Sequence, residues 1–262
     1  MKHRSKNRFL FNFNALLRTV ILFGFMILLI WLIKTQQLNL YINPKFTGLV
    51  EITGCLLFPM SVAQALNILQ PAYSLSDHHN HSHSGFWMYI PFLIVLELAF
   101  AVPSNTLNAN LVSAKGLNSQ LSAPASSYEM SRPLAPKLRQ MTSIDVTDTD
   151  YTEIMSEVQF FSQDYIGKEI VMTGFVFRQP GTTNNQFSLV RYVIMCCTAD
   201  ALPYGVLCEI KDAAKYEEGS WLSIRGIIQK TTYEDQTVPV IKITSIKQVQ
   251  EPKNPYVFPP GQ

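Results

Sequence analysis

Arg191-Tyr-Val-Ile-Met-Cys-Cys-Thr-Ala-Asp-Ala-Leu-Pro-Tyr-Gly-Val-Leu-Cys-Glu209 is a β-rich run, a polar break and a second β-rich run. It reads as an unusual β-hairpin and assigns this part of the chain to a mainly-β class. Two adjacent thiols, Cys196 and Cys197, stand at the end of the first run, with Asp200 three residues on and Cys208 across the turn. In a regular strand adjacent side chains point to opposite faces, so one thiol is expected in the core and the other on display. Three fates compete for these groups. Thiolates with Asp200 suit a soft metal, although residues 141–262 hold no histidine to complete a mixed site. A disulfide to Cys208 would staple the hairpin in an oxidising compartment. The bland alternative is that they are small buried hydrophobes.

Outward from the hairpin, the runs at 168–178, 186–197, 204–211, 220–229 and 238–249 read as strands, each bounded by turn residues. In the first, Ile170, Met172 and Gly174 alternate with Val171, Thr173 and Phe175. Asp150 is placed to cap a helix over 151–162, and residues 212–218 suit a short helix between the third and fourth strands. Five strands with a helical segment in that position match a small Greek-key OB barrel. Gly174 and Gly226 are where such a barrel would bend tightly.

Charge divides the chain. Residues 1–140 carry 11 Lys/Arg against 4 Asp/Glu, and residues 141–262 carry 10 against 15. The acidic half has no general attraction for phosphate backbones, so no nucleic acid is expected as a partner. The basic charges instead flank apolar runs. Residues 16–33 are almost unbroken, and eighteen helical residues rise about 27 Å, close to a hydrocarbon core. Lys2, Arg4, Lys6 and Arg8 hold the N-terminus in the cytoplasm by the positive-inside rule. With no small-x-small cleavage site after it, the run reads as an anchor rather than a signal peptide.

Residues 46–69 form a second candidate span, interrupted by Glu51 and Pro59. Residues 86–102 form a short third one, containing Glu97, with Trp87 and Tyr89 at its start. Three spans are the favoured reading and two the alternative; three leave everything after Pro103 outside the cytoplasm. Carboxylates at membrane depth are costly and often mark ion or proton paths, which makes Glu51 and Glu97 candidates. The expected plan is a transmembrane region at 1–103, a flexible linker rich in Ser, Asn, Ala and Pro at 104–140, and a soluble OB-like β domain at 141–262.

Between the second and third spans lies Asp77-His-His-Asn-His-Ser-His83. His78, His79, His81 and His83 with Asp77 could wrap a transition ion such as zinc, though without the fixed spacing of a structural site. A hydrophilic turn that is merely His-rich is the alternative. No nucleophile–base or paired-carboxylate constellation stands out, and we read no enzyme here.

Three segments carry a resemblance. They are Tyr165-Ile-Gly-Lys-Glu-Ile-Val-Met-Thr-Gly-Phe-Val-Phe-Arg178, Arg191-Tyr-Val-Ile-Met-Cys-Cys-Thr-Ala-Asp-Ala-Leu-Pro-Tyr-Gly205 and Ser113-Ala-Lys-Gly-Leu-Asn118. With the N-terminal helices and the His-rich loop, they resemble a bacterial family of permease subunits, membrane proteins of unknown biochemical activity. The resemblance implies a plasma-membrane location and a partner, a separate multi-spanning permease, with a suggested link to zinc. The expectation is a non-enzymatic accessory subunit of a two-component permease with its C-terminal domain outside the cytoplasm. The competing expectation is a membrane-tethered metal-binding or thiol-redox sensing module built on Cys196, Cys197, Asp200 and Cys208.

Overall fold

The computed structural model describes residues 9–71, 86–101, 106–117, 132–233 and 236–259. They form two compact units. One comprises Met1–Asn39 and Pro44–Asn105, the other Leu40–Asn43 and Thr106–Gln262.

The first unit is helical. Strand β1 (Phe9–Phe11) leads into helix α1 (Phe13–Lys34), whose first turn is capped by Asn12 accepting from the Ala15 amide at 3.1 Å. Helix α2 (Thr47–Leu66) runs into strand β2 (Leu69–Pro71), which pairs antiparallel with β1 and ties the start of α1 to the end of α2. At 1.5 Å per residue these helices are about 33 and 30 Å long. Both are long and apolar enough to cross a membrane. The third apolar run forms a 3-10 turn at Phe86–Met88 and a shorter helix α3 (Ile90–Ala101), about 18 Å long.

Leu17 and Ile21 of α1 pack on Tyr89 and Leu93, and the Arg18 Nε donates to the Tyr89 hydroxyl at 3.1 Å. Gly24 permits the approach of α3: a Cβ there would lie 2.4 Å from the Leu96 Cδ2. Large apolar side chains on the outer faces, including Phe23, Ile27, Leu49, Leu56 and Phe58, are exposed.

In the second unit the polar break of the hairpin interrupts a sheet that closes on itself. Strands β4 (Glu169–Phe177), β5 (Gln186–Val193), β6 (Leu202–Glu209), β7 (Trp221–Tyr233) and β8 (Gln236–Gln248) pair in the cyclic order β4-β7-β8-β6-β5-β4. The β6–β8 pairing is parallel and the others antiparallel. Closure brings backbones close: a Cβ on Gly174 would sit 2.7 Å from the Val190 carbonyl oxygen. The ladder between β7 and β8 is irregular at Arg225/Gly226, where the ring bends as expected of a bulge.

Alternation divides the β side chains between two cores. Ile170, Met172, Leu189, Cys208, Leu222 and Ile241 belong to the larger, which Ile154, Met155 and Val158 of helix α6 (Tyr151–Phe160) cover. Phe175, Phe177, Val190, Tyr192 and Tyr256 form the smaller one on the other face. Covering both faces explains why β4 ends in consecutive buried residues rather than continuing its alternation.

Several expectations need correction. The expected linker at 104–140 is structured wherever it is described. Helix α4 (Ala109–Lys115) buries Ala109 and Val112 in the smaller core, and helix α5 (Ala135–Gln140) buries Leu138 in the larger. Strand β3 (Ser143–Asp145) then adds parallel to β4, and β9 (Tyr256–Val257) parallel to β5. Composition suggested a tether because small and polar residues dominate there; among the described residues, Leu107, Val112, Leu134 and Leu138 fall at packing positions. The helix expected at 212–218 is only a 3-10 turn at Ala213–Lys215. Asp150 does occupy the N-cap of α6, but its side chain makes no capping bond. Strand β5 stops at Val193, short of the thiols.

Candidate functional site

The chain leaves the sheet at Val193 and bends before the 3-10 turn Thr198–Asp200. This bend overturns the expectation of opposed thiols. With the strand alternation gone, the Cys196 and Cys197 Sγ atoms lie 3.8 Å apart, Cys196 exposed and Cys197 half-buried.

Asp200 organises the loop. Its Oδ1 accepts from the Met195 amide at 3.0 Å, and its Oδ2 from the Cys196 and Cys197 amides at 2.8 and 3.2 Å. In return the Asp200 amide donates to the Cys197 sulfur, completing a reciprocal cap in which a thiol replaces the usual hydroxyl. Partial burial opposes ionisation of Asp200, but bonds from the Cys196 thiol and these amides outweigh it and hold its pKa below the usual carboxylate range. The same contacts act oppositely on the thiol. Asp200 first, then Cys197, push Cys196 up to about 11, so near neutral pH the proton stays on sulfur.

Two further elements hold the loop, neither marked as functional by sequence reasoning. Ile42 forms an antiparallel bridge with Cys197, the Asn43 amide donates to the Cys196 carbonyl at 2.9 Å, and the Thr198 amide donates to the Tyr41 carbonyl at 2.8 Å. The buried Asn43 Nδ2 also donates to the carbonyl of Met195 at 3.0 Å. Lys115, at the end of α4, donates through Nζ to the carbonyls of Ala199 and Ala201 at 3.0 and 2.7 Å. Lys115 lies in the Ser113–Asn118 segment that carried part of the resemblance. Leu38-Asn39-Leu40-Tyr41-Ile42-Asn43 does alternate, but a run this short does not tell which distant backbone it will meet.

The other candidates disperse. Cys208 is fully buried in the larger core on β6, and burial pushes its thiol strongly upward. It lies outside the cluster formed by Cys196, Cys197 and Asp200, whose ligand atoms are all within 4.8 Å of one another. All four cysteines are free thiols, so of the three competing readings the staple to Cys208 is not the one the structure takes, and Cys208 itself is a small buried side chain. Glu51 on α2 and Glu97 on α3 are exposed on their helices. Asp77, His78, His79, His81 and His83 lie outside the described residues.

Two long apolar helices joined in one chain to a closed β unit define a protein with a hydrophobic N-terminal part and a folded, thiol-bearing C-terminal part. The chain belongs to the DUF1980 family: residues 17–118 match the DUF1980 N-terminal domain and residues 122–259 the DUF1980 C-terminal domain. It is 27% identical to a Streptococcus mutans protein named as a two-component membrane permease complex subunit, over 93% of this chain and 99% of that one. It is also 24% identical to the UPF0703 protein YcgQ of Bacillus subtilis, over 92% and 98%. Neither relative bears an enzyme's name. A crystal structure of a small single-stranded DNA-binding protein from Streptomyces coelicolor shares 11% identity over 32% of this chain and 93% of its own. Its TM-score of 0.23 is too low to bear on fold or function.

Proposed function

We propose that this chain is a non-enzymatic accessory subunit of a two-component membrane permease, acting beside a separate multi-spanning partner. The observation that carries this reading is end-to-end similarity to a relative of that name, in a chain with two helices long and apolar enough to span a bilayer. Glu51 and Glu97 support it further. A carboxylate facing lipid is expensive, so the exposed faces that bear them are assigned to the partner rather than to hydrocarbon.

The closed ring in the C-terminal unit is read as an OB-type barrel, on the strength of its cyclic strand order and single parallel pairing. Its position is read as extracytoplasmic. Leu40–Asn43, between α1 and α2, fold as part of the β unit, which supports one side of the bilayer for that connection and for the C-terminal unit. With Lys2, Arg4, Lys6 and Arg8 inside, that side is the outer one. The chain must then cross a third time before Thr106, and residues 86–101 are the apolar stretch for it. The His tract then faces the cytoplasm, where His78, His79, His81 and His83 with Asp77 would contact a transition metal such as zinc.

Affinity purification of the tagged chain from detergent-solubilised membranes tests the central reading. A stoichiometric polytopic partner is the expected result, and its absence under mild detergents overturns the proposal. Reporter fusions after Gln262 test the side: an alkaline phosphatase fusion should be active, and an active cytoplasmic reporter there overturns the topology.

A further inference from the structure

The geometry of the dithiol loop suits a metal ion, and this does not require the permease reading. We infer that Cys196, Cys197 and Asp200 form a binding site for a thiophilic divalent cation of the zinc class, with a fourth coordination position left open. Two thiolates each about 2.3 Å from a tetrahedral zinc would lie about 3.8 Å from one another. The two Sγ atoms are 3.8 Å apart, the edge such an ion needs and far from a disulfide bond. The Asp200 carboxylate completes a set whose ligand atoms all fall within 4.8 Å.

The surroundings fit the same assignment. Adjacent cysteines on a strand could not share an ion, and the chain abandons strand geometry at the point where it must for both to face one way. An amide donating to the Cys197 sulfur and three amides donating to Asp200 orient the ligands, as outer hydrogen bonds do in metal centres. Asn43 and Lys115 clamp the loop's carbonyls from two other segments, so the ligands are preorganised. Two sulfurs and one carboxylate oxygen favour zinc or a softer ion over calcium or magnesium, which take oxygen ligands. Exposure of Cys196 leaves the fourth position to water or to a ligand from a partner.

The test uses the full chain in detergent, reduced and stripped with a chelator, in a background lacking residues 77–83 so that the His tract contributes nothing. Zinc is titrated against a chromophoric competitor, and cadmium is titrated while its thiolate charge-transfer absorbance is followed. The expected result is one equivalent of zinc with a cadmium–thiolate band. Loss of either thiol as Cys196→Ser or Cys197→Ser should weaken binding by about tenfold or more, since even outer-sphere changes cost 10–100-fold. Cys208→Ser, in the core, should leave both signals in place. Absence of zinc binding in the reduced background protein overturns the site. So does binding that survives Cys196→Ser and Cys197→Ser unchanged, or that disappears equally in Cys208→Ser.

Discussion

The Asp200 carboxylate accepts from three consecutive amides and from the Cys196 thiol, and this decides how the loop reacts as well as how it folds. Because Asp200 is the main cause of the raised Cys196 pKa, Asp200→Asn should lower it. Iodoacetamide labelling followed by peptide mass spectrometry checks this. In the wild type, labelling of Cys196 should stay slow at pH 8 and climb toward a midpoint near 11, and in Asp200→Asn the climb should begin at lower pH. An unchanged profile would show that the carboxylate does not hold the thiol proton. Cys208 should resist labelling at either pH until the protein is unfolded, since it is fully buried. The residue types were legible in the sequence as a cluster. Their sorting was not, because the alternation rule that separates neighbouring side chains holds only while the strand lasts, and β5 stops at Val193.

Among the elements, α1 and α3 approach because Gly24 has no side chain to hold them apart. Gly24→Leu should lower the melting temperature of the detergent-purified protein. Gly54→Leu on α2, where no atom lies within 4 Å of the added Cβ, should change it far less. Equal effects would mean that helix propensity or detergent contacts, rather than this contact, govern stability. In the β ring, Gly174→Ala forces a Cβ against the Val190 carbonyl and should destabilise by about 1–3 kcal/mol in a denaturant titration of tryptophan fluorescence. Lys115 joins α4 to the thiol loop through two carbonyls. Lys115→Met should therefore speed amide exchange across residues 194–201 while leaving β4 and β7 protected. Uniform protection in the variant would deny α4 that role. The five principal strands were visible as β-branched and aromatic runs between turn residues. Strands β3 and β9 were not, because two or three residues carry no period and pair only where a longer strand already offers an edge.

Across the C-terminal unit, charged side chains tie together segments far apart in sequence. Arg132 pairs with the buried Glu157 and lies over the Phe161 ring, and the Tyr165 hydroxyl donates to Glu157 at 2.7 Å. Asp164 accepts from Arg139 at 2.6 Å and Arg132 at 3.0 Å, and these bonds hold its pKa below the usual carboxylate range. A depressed folded pKa means that the unfolded chain binds the proton more tightly. This contribution is complete at neutral pH, begins to fail as pH drops through the ordinary carboxylate range, and is lost below the lower folded value. Stability measured from pH 7 to pH 3 should fall less steeply in Asp164→Asn than in the wild type, and equal slopes would deny the ion pair its part. At this scale Arg191, nearly fully buried, ties β5 to the C-terminal segment through the carbonyls of Asn254 and Pro255 while pairing with Asp148. By itself the sequence determined what local composition can specify: three apolar runs read as spans, a basic N-terminus, five β runs in order and a cysteine-rich turn. Only the tertiary structure decided that β4 and β5 meet to close the ring, that the described parts of the presumed linker carry the packed helices α4 and α5, and that Leu40–Asn43 stitch the thiol loop from a segment far away in sequence. Periodicity records which face of an element is buried; which distant backbone covers that face depends on burial and hydrogen-bond satisfaction summed over the whole unit, and no single stretch contains that sum.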